Sequence, residues 1–300
     1  MTLLLYSFIY AAVLIFLVAS VARAIRYARA PLHLRWELYP VPHEDPSLVE
    51  HGGSYFENLD WWKQPLHFNL WGELKFMVPE MLFLKGLWEF NRGLWWRSFP
   101  FHFGLYLLFG TAALVAGSAL LGTAALHPLY TATGLAGAVG VMVGALGLLV
   151  HRLTDPNLKN YTAPADVFNL VFFLAVIGLL LAGHFFRPPD FTGALGLARG
   201  LLAFDTTVRV PGLLASGLLL GSVLLAYIPL THMSHFIAKY FTYHSIRWDD
   251  APNRGEAKLA AKIAECLSYR PTWAAAHMGA DGTRTWAEIA TTNPAAGAKK

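Results

Sequence analysis

Charge and cysteine are what this sequence has least of. Only 14% of its 300 residues are Asp, Glu, Lys or Arg, against roughly 25% in an ordinary soluble domain. Hydrophobic residues make up 55%, and the mean hydropathy is +0.43, which excludes a chain that keeps its apolar surface from water by folding alone. The single cysteine, Cys266, excludes an internal disulfide, a thiolate-held iron–sulfur cluster and a CxxCH attachment for c-type haem. Any haem bound here is therefore non-covalent and histidine-held, hence b-type, and any iron–sulfur cluster belongs to a partner. The net charge of +4 suits the basic inner loops of a membrane protein and gives no sign of a nucleic-acid partner.

What is present is a set of five apolar runs, Leu3–Ala22, Phe101–Gly122, Thr131–Val150, Val167–Phe186 and Leu213–Ile237. About 20 apolar residues suffice for a helix to cross a bilayer. The fold class is therefore all-α integral membrane, with five transmembrane helices. The segment from Arg23 to Arg97 carries nine Lys/Arg, and Arg152 and Lys159 follow the third run; the opposite loops carry none (123–130) or Arg187, Arg199 and Arg209. By the positive-inside rule the N-terminus is outside and the C-terminus cytoplasmic, in a multi-pass protein of the cell's inner membrane. The first run has no basic residue before it and is too long for a signal sequence, so residues 1–22 read as a retained anchor.

Residues 23–98 form a cytoplasmic or interfacial loop. WELYPVPHEDP reads as extended, proline-punctuated chain. Beyond it, Trp61, Trp62, Trp71, Trp88, Trp95 and Trp96 suggest amphipathic helices at headgroup level; a surface covered by a partner subunit is the alternative. Residues 99–244 read as a four-helix membrane domain. In HRLTDPNLKNYTAPADVF, Asp155–Pro156 breaks the third helix, and the fourth begins near Pro164–Asp166, with a carboxylate suited to the positive end of its dipole. Residues 245–300 are a polar tail with one helix expected over Arg254–Leu267 and a low-complexity end, NPAAGAKK.

The histidines carry the chemistry. His102 lies in the first turn of the second run, entering from inside, and His232 and His235 in the last turn of the fifth, leaving toward the inside. Matching depth on opposed helices is what bis-imidazole ligation of a haem iron requires. His232 and His235 are three apart and share a helical face, so spacing alone leaves the choice between them open. Interfacial hydrogen bonding to headgroups or carbonyls is the bland alternative. Gly104, Gly110 and Gly221 read equally as room for a macrocycle or as helix-packing positions, and Gly137–Gly144 as packing. His184, in AGHFFRPPD, reads as an interfacial residue, a quinone hydrogen-bond partner or a ligand to an outer haem, with His127 the only other outer histidine. His151 suits a helix C-terminus. His33, His43, His51, His67, His244 and His277 carry no assignment.

Three stretches, FPFHFGLYLLFG, LLVHRLTDPNLKNYTAPADVFNL and YIPLTHMSHF, together with five helices and an outside N-terminus, resemble the membrane cytochrome b (gamma) subunit of respiratory nitrate reductase. They are similar too to the cytochrome b subunits paired with heterodisulfide-reductase-like or sulfite-reduction-associated iron–sulfur proteins. The resemblance covers roughly residues 80–245. It implies that His102 and His235 are the axial ligands of the haem b nearer the cytoplasm, with His232 a neighbour. It also implies electron transfer between quinone, as an exchangeable substrate, and a cytoplasmic iron–sulfur partner, with other membrane or periplasmic cytochrome subunits as further partners. The family's outer ligands fall on Ala112 and Gly217 here, so one haem is expected and a second needs other residues, His184 first. The rival expectation is a haem-free membrane anchor of a redox complex.

Overall fold

The computed structural model describes residues 1–30, 41–44, 47, 54–63, 69–248, 257–273 and 278–293, which are mostly helical with no strand among them. The helices are α1 (Thr2–Ala28), α2 (Leu70–Leu82), α3 (Lys85–Phe90), α4 (Arg92–Leu120), α5 (His127–Thr154), α6 (Pro156–Lys159), α7 (Pro164–Phe185), α8 (Gly193–Leu202), α9 (Gly212–Tyr227), α10 (His235–Thr242), α11 (Ala257–Ser268) and α12 (Trp286–Thr291). Five segments are long and apolar enough to cross a membrane: α1, α4, α5, α7 and Gly212–Leu230. The chain is a multi-pass membrane protein. Its apolar outer surface follows: Leu14, Val18, Phe109 and Val143 are all at least 60% exposed, as side chains facing lipid must be.

The chain divides into two compact units, the first being Met1–Tyr27 with Trp71–Ala238. In this unit α4, α5, α7 and α9 pack around one core that includes Phe101, Val141, Ala145, Phe173, Val176 and Leu224. Lipid offers little hydrophobic drive between helices, so close backbone approach has to supply van der Waals contact. Here glycine supplies it. A Cβ on Gly104 would lie 2.6 Å from the Gly137 carbonyl oxygen, and one on Gly144 would run into the Phe101 nitrogen. The hydroxyls of Thr111 and Thr133, 2.8 Å apart, tie the same two helices together further along. On the other side, Gly183 admits Leu214 and Gly217 admits Leu180. Helix α1 packs Leu5 with Val210 and Ala215 and donates from Thr2 Oγ1 to the Val208 carbonyl at 2.8 Å.

The α5–α7 connection follows the sequence expectation. Asp155 leaves the helix in an extended conformation and accepts from the Asn157 and Leu158 nitrogens, and Pro164 opens α7 with Asp166 accepting from the Ala163 nitrogen at 3.0 Å. The end of the fifth span does not. His232 and His235 were expected in the last turn of one continuous helix, sharing a face; instead the span gives way to a tight turn at Ile228–Leu230, and Thr231 is extended. Thr231 Oγ1 accepts from the Met233 nitrogen, and His235 opens the separate helix α10. Pro229 causes this, having no N–H for the ladder and a ring that crowds the preceding turn. The Pro229 carbonyl then receives the Arg23 guanidinium of α1, and Phe16 stacks on Phe236 with centroids 6.3 Å apart.

Ahead of α4 lie α2, which carries Pro79 inside it, and α3. Trp88, Trp95 and Trp96 pack edge to face, and Trp95 Nε1 donates to the Phe83 carbonyl at 2.8 Å; Trp71 and Trp96 remain 75% and 65% exposed. The second unit comprises Ala28–Leu70 and Lys239–Lys300. Within it Trp248 is buried and packs against Tyr243 and His43, and Glu44, also buried, accepts from Ser54 Oγ and the Tyr55 nitrogen. The tail helix runs Ala257–Ser268. Most of WELYPVPHEDP, Arg254, all but the first residue of NPAAGAKK, and His33, His51, His67 and His277 lie outside the described residues.

Candidate functional site

Helix α4 holds the His102 ring through its Nδ1. One turn back, the Ser98 carbonyl lies 2.8 Å from His102 Nδ1 and the Ser98 hydroxyl 3.3 Å from it. A carbonyl only accepts, so Nδ1 carries the proton and Nε2 keeps its lone pair. This is the arrangement by which proteins orient a ligating imidazole. Across from it, at the start of α10, stands His235: the two ring centroids are 6.0 Å apart and the planes meet at 70°. Two imidazoles sharing one metal, each with a nitrogen about 2.0 Å from it, stand with centroids roughly 6 Å apart. Rotation of either ring about the shared axis leaves that spacing unchanged, so the angle between the planes is no obstacle. The donor set fits a haem iron, which takes two axial imidazoles and no further protein ligand. Among the described residues no cluster of three or more His, Cys, Asp or Glu side chains could hold a bare metal ion.

His232, left open by spacing, is directed elsewhere. Its Nε2 lies 3.5 Å from Asp166 Oδ1 and 3.3 Å from Asn169 Nδ2, both on α7. The other oxygen of Asp166 accepts from Arg152 at 3.3 Å. Asn169 is buried at 5% exposure, and its Oδ1 has no hydrogen-bond partner among the described residues. Turning the amide over would exchange the atoms, and one of them would still lack a partner. A buried polar atom left so costs about 1–3 kcal/mol. The sequence marked Asp166 as a helix-start residue and passed over Asn169; an Asn and an Asp three apart on one face of an apolar helix was the available signal.

The glycines divide. Gly104 is occupied by the α5 backbone, Gly110 has nothing within 4 Å, and Gly221 meets only Val176 Cγ1 at 3.4 Å. Gly104 thus serves helix packing in this bundle, Gly110 faces open space among the described residues, and Gly221 stands in van der Waals reach of Val176. At the far end His184 accepts at Nδ1 from Arg187, 3.0 Å away. A guanidinium only donates, so the neutral ring carries its proton on Nε2, which then has no lone pair for a metal. His127 packs against Tyr130 and makes no ring contact with His184 among the described residues. Gly217, where the resemblance puts an outer ligand, is closed by Leu180, whose nitrogen would lie 3.0 Å from an added Cβ. His151 Nδ1 faces Asp155 at 3.9 Å. No protein-family model, curated protein or solved structure matches the chain.

Proposed function

We propose that this chain is the membrane cytochrome b subunit of a respiratory complex, passing electrons between a quinone, such as menaquinone, in the bilayer and an iron–sulfur subunit at the cytoplasmic face. The observation that carries this reading is the His102–His235 pair, at bis-imidazole spacing and with His102 held in the ligating tautomer by Ser98. Haem b bound there supplies a one-electron centre whose potential is set by burial and by hydrogen bonds to its ligands. His102 and His235 would hold the haem iron, and the Ser98 carbonyl orients the His102 ring. Phe101, edge-on to His102 with centroids 5.3 Å apart, keeps water from one flank. With the N-terminus outside, this pair lies at the inner level, beside the basic and aromatic segments that an iron–sulfur partner of the heterodisulfide-reductase type would cover.

A haem-free anchor is the second reading, favoured by Ala112 and by the packing of Gly217 against Leu180, which remove both positions of an outer haem. The test is a pyridine haemochrome assay on the purified chain or complex, with His102→Ala and His235→Ala beside it. About one haem b per chain, lost in either variant, is expected. A chain that carries no haem overturns the reading in favour of the anchor.

A further inference from the structure

Three residues before His235 stands a third imidazole with its own apparatus. His232 points Nε2 at the Asp166 carboxylate, 3.5 Å away, and its side chain is 61% exposed. Asp166 is itself braced by Arg152 at 3.3 Å and by the Ala163 nitrogen at 3.0 Å. A carboxylate behind one ring nitrogen fixes the orientation of the ring, which leaves the other nitrogen, Nδ1, to face a ligand. No iron-ligand role explains this arrangement, because His235 already faces His102. An independent observation points to a ligand. Asn169, 5% exposed, lies against the same nitrogen at 3.3 Å and keeps one polar atom without a partner among the described residues, whichever way its amide is turned.

We propose that His232, Asp166 and Asn169 form the headgroup site for a quinone or hydroquinone, with His232 Nδ1 as its proton-exchanging atom. The inference rests on the electron-transfer reading above and specifies where its substrate binds. A quinone carbonyl oxygen is an acceptor and a hydroquinone hydroxyl both donor and acceptor, so imidazole and carboxamide together match either form. Oxidation of a hydroquinone releases two electrons and two protons. The electrons leave one at a time for the haem and the iron–sulfur acceptor. Each hydroxyl O–H bond breaks with its proton going to the aqueous phase, through His232 Nδ1 for the oxygen that faces it. Reduction runs the same path backwards, the proton arriving on the carbonyl oxygen. Arg152 braces the Asp166 side chain and makes no contact with the quinone.

The test uses the full chain in detergent or native membranes, with His232→Gln and Asp166→Asn as separate variants so that one poorly folded variant does not decide it. A hydroxyquinoline N-oxide is titrated by fluorescence quenching, and haem reduction by a short-chain hydroquinone is followed beside reduction by dithionite. Expected are weaker binding of the N-oxide by at least about tenfold and hydroquinone-driven reduction slower by about a hundredfold or more in His232→Gln. Haem content and dithionite reduction stay at wild-type levels. Wild-type binding of the N-oxide in both variants overturns the site, as does absence of binding by the wild-type chain. N-oxide binding that depends on His232 in a chain without haem supports the site and instead removes the electron-transfer reading.

Discussion

The backbone nitrogen of Leu180 lies 3.0 Å from where a Cβ on Gly217 would stand. Helices α7 and α9 are in contact at the place where the resemblance to the cytochrome b subunits would put an outer iron ligand. Installing that ligand as Gly217→His should therefore add no second haem, and overpacking of this kind destabilises by about 1–3 kcal/mol. Haem per chain together with thermal unfolding in detergent checks both halves. A second haem with unchanged stability would show that the seam opens.

The α4–α5 seam makes a sharper comparison, because its glycines differ in surroundings. Gly104→Ala forces a methyl to within 2.6 Å of the Gly137 carbonyl oxygen, whereas Gly110→Ala meets nothing within 4 Å. The first substitution should lower stability by about 1–3 kcal/mol and broaden or reduce the haem band by displacing His102. The second should leave both unchanged. Equal effects would mean that the seam is not the determinant.

Arg23 donates to the carbonyl that the helix break at Pro229 leaves without a helical partner. A hydrogen bond from a charged donor contributes about 1.5–3 kcal/mol. Arg23→Ala should therefore loosen the segment that carries His235, seen as faster amide exchange over residues 228–236 and weaker haem retention on dilution. Arg23→Lys should restore part of it, since lysine donates but lacks the guanidinium's planar fork.

At the far end, Asp205 accepts from the hydroxyl and nitrogen of Thr207, and these bonds hold its carboxyl below the usual carboxylate range. A depressed folded-state pKa stabilises the loop above the ordinary carboxylate pKa and loses that contribution as pH falls through the lowered value. Thr207→Ala should move the acid loosening of the 203–210 loop to higher pH. Limited proteolysis across an acid pH series reads it, and an unmoved midpoint would refute the link.

The spans were legible in the sequence because a run of about 20 apolar residues has few other physical uses. Structure extends α4 back to Arg92 and α5 on to Thr154, since helix propensity continues where hydropathy fades. Matching depth anticipated that His102 meets the His232–His235 end of the fifth span and left the choice between the two open; the ring that faces His102 is that of His235. Hydropathy does not register the break at Thr231, because Ile228, Leu230 and Met233 keep the segment apolar while Pro229 removes the hydrogen bond. The approach of His232 to Asn169 joins residues 63 apart in the chain, and no local period encodes such a pairing. Gly104 was ambiguous for another reason: a glycine carries no chemistry of its own to say which neighbour it admits.

The glycine-lined seam between α4 and α5 also works as a keyway. Gly104 seats on Gly137–Val141 and Phe101 on Gly144, so the two helices can slide past one another only by leaving that seat. A slip of one residue would carry the His102 imidazole about 1.5 Å along the axis and swing it by about 100°, out of line with His235. Two interlocking backbones, in van der Waals contact at these glycines, thereby set the indexing of the His102 imidazole proposed to hold the haem.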